Sequence, residues 1–275
     1  WDFFPTIHTS YKFSEGTQMM ASYTRRIQRP RGGELEPFYT WIDANNVRTG
    51  NPDLLPQLID SYESGIQTFI GEVSLSAEIY HRVTNNKVEH IRSVYKGENV
   101  NLDSVANIGK DFSTGAELML IFDPVEFWNV NLMANLYDYR IEGILYDEPF
   151  SRKSFNWNSR INNMFKVSPN TQVQVNMNYN SPTVSSQGRW EASYSADVSV
   201  KQDFFERMLS LTLQVRDIFR TGKHEFSSSG PDFYTYNYFE REAPVVILNV
   251  RFNFNHFKPT REKGEPENGN EGEEF

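Results

Sequence analysis

The densest chemistry in the chain is a run of cations, Arg25-Arg26-x-x-Arg29-Pro30. Guanidinium groups this close can grip a carboxylate or phosphate through forked hydrogen bonds. Arg25 and Arg26 are adjacent, however, so on an extended strand they point to opposite faces. The spacing therefore predicts a divided role: one arginine pairs with acids on the polar face, and the other lays its stem along an apolar surface with its head in water. A site for an anionic ligand is the competing reading. Glu63, Glu78 and Glu117 are the candidate acids, and they read as polar lining rather than as an acid–base pair. His8, His81, His90, His224 and His256 are scattered without metal-ligand spacing, no Gly-x-Ser-x-Gly elbow occurs, and there is no cysteine. A thiolate metal site and a disulfide scaffold are excluded, and neither catalysis nor a cofactor is expected. Trp41, with Phe38 and Tyr39, lies in a stretch stiffened by Pro30, Pro37, Pro52 and Pro56. Rings there either pack the segment down or stack on a sugar or an apolar ligand.

The elements that carry these residues announce themselves by a period of two. Val173, Val175, Met177 and Tyr179 alternate with Gln172, Gln174, Asn176, Asn178 and Asn180. Tyr194, Ala196, Val198 and Val200 repeat the pattern, as do Leu209 to Val215 and Val246 to Phe254. Extended strands with opposite chemistries on their two faces follow. Long strands of about ten residues, apolar outside and polar inside, suit an all-β, antiparallel, up-and-down transmembrane β-barrel with a wet lumen. No apolar run approaches the roughly 18 residues of a membrane helix. The mean hydropathy of −0.59 is no objection, because half of each barrel strand is polar. The 14 Tyr and 21 Phe suit membrane–water interfaces, and a net charge of −9 disfavours a nucleic-acid partner.

About eleven strands can be read, at 4–13, 17–26, 59–69, 72–82, 105–122, 127–140, 153–167, 171–181, 191–202, 208–219 and 244–256. Short turns at 14–16, 70–71, 123–126, 168–170 and 203–207 alternate with long loops at 27–58, 83–104, 141–152, 182–190 and 220–243. That asymmetry is the habit of outer-membrane barrels, with long loops extracellular and short turns periplasmic. An odd count cannot close antiparallel on itself, so further strands are expected before Trp1. The chain opens on Trp1-Asp2-Phe3-Phe4 without a leader, as a processed chain or the interior of a longer one would. Residues 1–257 are expected to form barrel, and 258–275, rich in Glu and Gly, a disordered acidic tail on the periplasmic side.

Ordered blocks then carry a resemblance. Tyr23-Thr24-Arg25-Arg26-Ile27-Gln28-Arg29-Pro30, Leu35-Glu36-Pro37-Phe38, Gly50-Asn51-Pro52-Asp53-Leu54-Leu55-Pro56 and Val215-Arg216-Asp217-Ile218-Phe219 resemble motifs of an outer-membrane β-barrel family common in the Bacteroidetes. That family is itself similar to TonB-dependent receptors. Gly50, Asn51 and Pro52 join the candidate residues on this ground alone. The resemblance implies the C-terminal half of a barrel of about 22 strands in the outer membrane of a Gram-negative bacterium. It also implies an N-terminal half-barrel and plug upstream, a TonB complex acting through that plug, a nutrient ligand and a surface lipoprotein as partners. Uptake of a scarce nutrient, such as a metal chelate, oligosaccharide or peptide, is the function implied. The alternative is a barrel serving adhesion, binding or assembly without active transport.

Overall fold

The computed structural model of the protein describes residues 3–96 and 99–254. In chain order the elements are β1 (Thr6–Ser14), β2 (Thr17–Gln28), α1 (Gly32–Leu35), β3 (Thr40–Asp43), β4 (Asn46–Arg48), β5 (Gln57–Ile70), β6 (Val73–Val94) and β7 (Asn101–Val125). There follow β8 (Trp128–Leu145), β9 (Glu148–Ser168), β10 (Thr171–Asn180), β11 (Thr183–Val184), β12 (Gly188–Trp190), β13 (Ser193–Phe204), β14 (Leu209–Arg216), β15 (Lys223–Ser229), β16 (Tyr234–Glu240) and β17 (Val245–Phe252). Eleven of these strands build one antiparallel wall, in the order β1-β2-β5-β6-β7-β8-β9-β10-β13-β14-β17. These are the eleven strands expected from periodicity.

Register aligns the alternation of each strand with its neighbour's. Phe165, Val173, Val200, Leu213 and Leu248 form one cross-strand row. Val175, Val198, Val215 and Val246 form the next. Gln172, Lys201, Thr212 and Asn249 make a polar row on the other face. A slip of one residue in any pair would exchange the two chemistries, so the pattern itself pins the register. Among the described residues no second sheet or helix layer covers the apolar face of the wall. Met177, Leu213 and Leu248 are accordingly 44%, 45% and 64% exposed. An apolar face this continuous is unstable against water and stable against lipid.

A meander without crossovers sorts its connections. The turns at 15–16, 71–72, 126–127, 169–170 and 205–208 lie at one end, and the remaining connections lie at the other. At that second end the structure departs from the expected loops. Segments 83–104 and 141–152 are mostly continued strand. β6 and β7 run for 22 and 25 residues, whereas crossing a membrane takes about 9–11. Their hairpin therefore projects well beyond the apolar band. β8 and β9 are joined by the two residues Tyr146 and Asp147, with φ of 55° and 62°, the left-handed pair that a tight hairpin turn demands.

Two further pieces sit at this end. β11, β12, β15 and β16 form a separate four-stranded sheet. β3 and β4 form a hairpin, and β4 adds parallel to β7 through Val47 and Leu102. Val47 is fully buried there. Among the described residues the wall stays open: β1 pairs only with β2, and β17 only with β14.

Candidate functional site

Parity and register place each candidate. On β2, Arg26 shares the face of Ser22, whose hydroxyl donates to Glu63 at 3.1 Å. Glu63 lies opposite Tyr80, and Glu78, two residues along, lies directly opposite Glu117. The three glutamates thus share the polar face. Glu78 and Glu117 line a concavity of about 660 Å³ with Asn135, Asn158, Arg160 and Asn178. Arg82 joins Glu63 at 3.7 Å. Periodicity had singled out the acids but not this cation. Two carboxylates facing each other across a strand pair repel, and Arg160 in the same concavity and Arg82 beside Glu63 offset them.

Arg25 lies on the apolar face. It reaches Asp60 at 3.8 Å, and Asp60 also accepts from the Tyr23 hydroxyl at 2.8 Å. Tyr23 packs on Tyr62 with ring centroids 4.9 Å apart. The two arginines are therefore divided between faces, and both sides hold an acid. Arg29 and Pro30 stand just past β2 and line a cavity of about 360 Å³ with Gln57, Thr84, Lys87 and His90.

The connection from β2 to β5 is stapled to its neighbours rather than free. Gly50 N–H donates to Glu36 O at 2.8 Å, and Asn51 N–H to Glu34 O at 2.7 Å. The Asn51 side chain accepts from Asp53 N–H at 2.9 Å, closing a local Asx turn. Leu55 N–H donates to the Asn107 side chain at 2.8 Å, and that side chain donates to Leu55 O and Asn86 O. Within β3, Trp41 packs edge-on against Tyr95 at 5.8 Å, and Tyr39 does so at 5.3 Å. Lys96 Nζ stands 4.9 Å from the same Tyr95 ring. Trp41 and Tyr39 remain about half exposed. Asp43 is held below the usual carboxylate range by the Asn45 backbone N–H and the Asn46 amide.

A second knot joins the projecting hairpins, and sequence patterning missed it. The Gln187 side chain accepts from Arg92 N–H and donates to Arg92 O, both at 2.8 Å, as a strand neighbour would. Tyr146 O–H also donates to Arg92 O, and the Gln187 amide contacts that phenol. Burial raises the Tyr146 phenol above its ordinary pKa, so it stays a donor. The Arg92 guanidinium grips Asp103 at 2.7 Å and reaches Thr235 at 3.3 Å. Four connections of the chain meet at this one residue pair. Gln187 carried no signal because it sits between strands of only two and three residues.

Among the described residues no cluster of metal-ligating side chains occurs, and no helix is long and apolar enough to cross a membrane. Comparison of the sequence with curated proteins finds no match. Among solved structures the chain is similar to the siderophore receptor PirA of Pseudomonas aeruginosa, with a TM-score of 0.60 and 15% identity over 82% of this chain and 41% of that one. It is also similar to the ferric-catecholate import receptor Fiu of Escherichia coli K12, with a TM-score of 0.58 and 16% identity over 89% of this chain and 34% of that one. A variant of the ferric enterobactin receptor PfeA of Pseudomonas aeruginosa gives 0.56 and 14%, over 80% and 35%. The chain thus spans well under half the length of these receptors, and at such identities the likeness is one of fold. The model of the outer membrane protein β-barrel family matches residues 1–254, and the chain belongs to that family.

Proposed function

We propose that this chain is the C-terminal half of the barrel of a TonB-dependent-receptor-like transporter, importing a scarce nutrient across the outer membrane. The observation that carries the reading is the open meander of eleven strands, superposable on part of the receptor barrels and ending in two unpaired edges. In lipid each unpaired edge group costs roughly several kcal/mol, so the wall needs strands to close it. A further half-barrel with a plug supplies them, and TonB works through the plug. The long hairpins face outwards and meet the ligand. A ferric siderophore is the first candidate, since the similar receptors take that class; oligosaccharides and peptides follow. A surface lipoprotein would dock on the same outer end.

Expression tests both halves of the proposal. Residues 1–275 alone should give no heat-modifiable band on gel electrophoresis, and co-expression with the closing half should restore one. Cells carrying the complete protein should accumulate the labelled nutrient only while TonB and the proton gradient are intact. A monodisperse, heat-modifiable monomer from 1–275 alone overturns the half-barrel reading. A closed barrel without energised uptake selects the adhesion or scaffold reading instead.

A further inference from the structure

The four-stranded sheet outside the wall has an open edge of its own. Its order is β11-β12-β15-β16, and among the described residues β16 pairs only with β15. β15 rises from β14, and β16 descends into β17, so the free edge of β16 stands on the same side as the free edge of β17.

Which backbone groups are free follows from one hydrogen bond. Gly230 N–H donates to Phe233 O at 3.0 Å, making these two a hydrogen-bonded pair. Pairs alternate along an antiparallel ladder. Hence Ser228–Thr235, Phe226–Asn237 and His224–Phe239 are bonded pairs, while Tyr234, Tyr236, Tyr238 and Glu240 turn their N–H and C=O groups away from β15. The other side of β15 obeys the same alternation: Glu225 O accepts from Glu191 N–H, and Ser229 N–H donates to Gln187 O. The side chains of the outward positions leave the edge clear. Tyr236 O–H donates to Glu225 at 2.6 Å, and Tyr238 O–H donates to Glu240 at 2.7 Å, both bonds lying over the hairpin itself.

Exposed edges are ordinarily blunted by Lys, Pro, a bulge or an inward charge. β16 reads Tyr-Thr-Tyr-Asn-Tyr-Phe-Glu, without Lys or Pro, and its register on β15 is unbroken. Its one charged residue is Glu240, at the strand's end. We infer that β16 forms an upper storey of the seam at which the barrel closes, its outward backbone groups pairing with an extended segment of the same polypeptide that pairs with β17. The inference rests on the half-barrel reading above and adds a strand interface outside the membrane.

Residue-resolved hydrogen–deuterium exchange on the complete, closed barrel tests it. The amides of Tyr236 and Tyr238 face away from β15, so an uncovered edge leaves them exchanging like loop amides. The seam slows them at least about 100-fold, to the level of Thr235 and Asn237. Tyr236→Pro removes one seam donor and no backbone bond to β15, losing there only the side-chain bond to Glu225, so it should restore fast exchange at Tyr238 while Asn237 stays protected; Tyr236→Phe, which loses that side-chain bond alone, should leave Tyr238 protected. Fast exchange at Tyr236 and Tyr238 in a heat-modifiable barrel overturns the seam alone, and absence of a heat-modifiable barrel overturns the half-barrel reading with it. Protection that vanishes on dilution assigns the edge to a second molecule and also overturns the inference.

Discussion

Gly50 rests on the carbonyl of Glu36: its N–H donates to that oxygen at 2.8 Å, and a Cβ built on Gly50 would lie 2.7 Å from it. The same Cβ would also meet Glu34 O at 2.6 Å. No flexible side chain is available to yield, so the backbone of 34–36 itself must shift. Gly50→Ala should loosen the docking of connection 29–56 by about 1–3 kcal/mol, the usual cost of overpacking. Limited proteolysis should cut this connection faster, while the heat-modifiable band stays unchanged. Equal cleavage rates would show that the close approach is slack.

Gln187 stands in for a strand neighbour of Arg92. Gln187→Leu leaves Arg92 N–H and one bond to Arg92 O unmade in a buried setting, at about 1–3 kcal/mol for each unsatisfied group. Amide exchange should quicken at Arg92 and through β12 but not in the wall strands β7 and β8. Unchanged exchange at Arg92 would mean that water replaces the amide without loss.

On β17, Val250 is opposite Leu211 in the apolar row. Val250→Arg should block outer-membrane insertion, since a cation on the lipid face costs roughly 2–4 kcal/mol near the midplane. Deleting 260–275, which lies outside the described residues, should leave insertion largely intact. Folded barrel in outer-membrane fractions is the readout, and the reverse ranking would refute a lipid-facing Val250.

The outer hairpin carries a pH-dependent pair. Lys223 Nζ lies 2.6 Å from Glu225 Oε1. Lys223, with the Tyr236 hydroxyl, holds the Glu225 carboxyl below the usual range, and Glu225 raises Lys223 above its own. A depressed carboxyl stabilises the fold above its unfolded pKa, and that contribution is lost as pH falls through the folded value. A raised amine stabilises below its unfolded pKa, and its contribution is lost as pH rises through the folded value. The β15–β16 hairpin should therefore be tightest between these limits and should fray on acidification below the carboxylate range. Lys223 is solvent-exposed and Glu225 partly so, so the effect is small and salt-sensitive. Amide exchange at Phe226 against pH follows it, and Glu225→Gln should flatten the profile.

The wall was legible because lipid on one side and polar lumen on the other write themselves into alternate residues, as Val173 to Asn180 show. The pattern fails where that division ends. β6 reads cleanly to Arg82 and then meets a bulge. Its register against β7 shifts between Asn85 and Val88, where Asn86 has φ 54° and its neighbour Lys87 faces Gly109 with φ 144°. An inserted residue reverses parity, so the strand beyond it reads as loop. A Cβ on Gly109 would fall 2.2 Å from Glu142 O, which fixes the bulge at a glycine. The turn Tyr146-Asp147 hid the outer ends of β8 and β9, read as loop over 141–152, because neither residue advertises a left-handed conformation as Asn-Gly would. β15 and β16 hold Tyr and Phe on both faces and so lack the one-sided contrast. Of the candidate residues, Glu63, Glu78 and Glu117 could be assigned to one face by parity. The Arg92–Gln187 contact joins positions remote in sequence, and no local pattern encodes it.

The parity of the wall also limits what can complete it. β1 and β17 run in the same direction, so a closing piece must contribute an odd number of strands. A second copy of this chain has an odd number, yet it fails on handedness of insertion. To meet β17 antiparallel, its β1 would have to run the opposite way, carrying its projecting hairpins to the side of the first copy's short turns. Two such copies would have to thread the bilayer in opposite senses. Closure therefore calls for a distinct sequence whose edge strands run counter to these, and self-association cannot substitute for it.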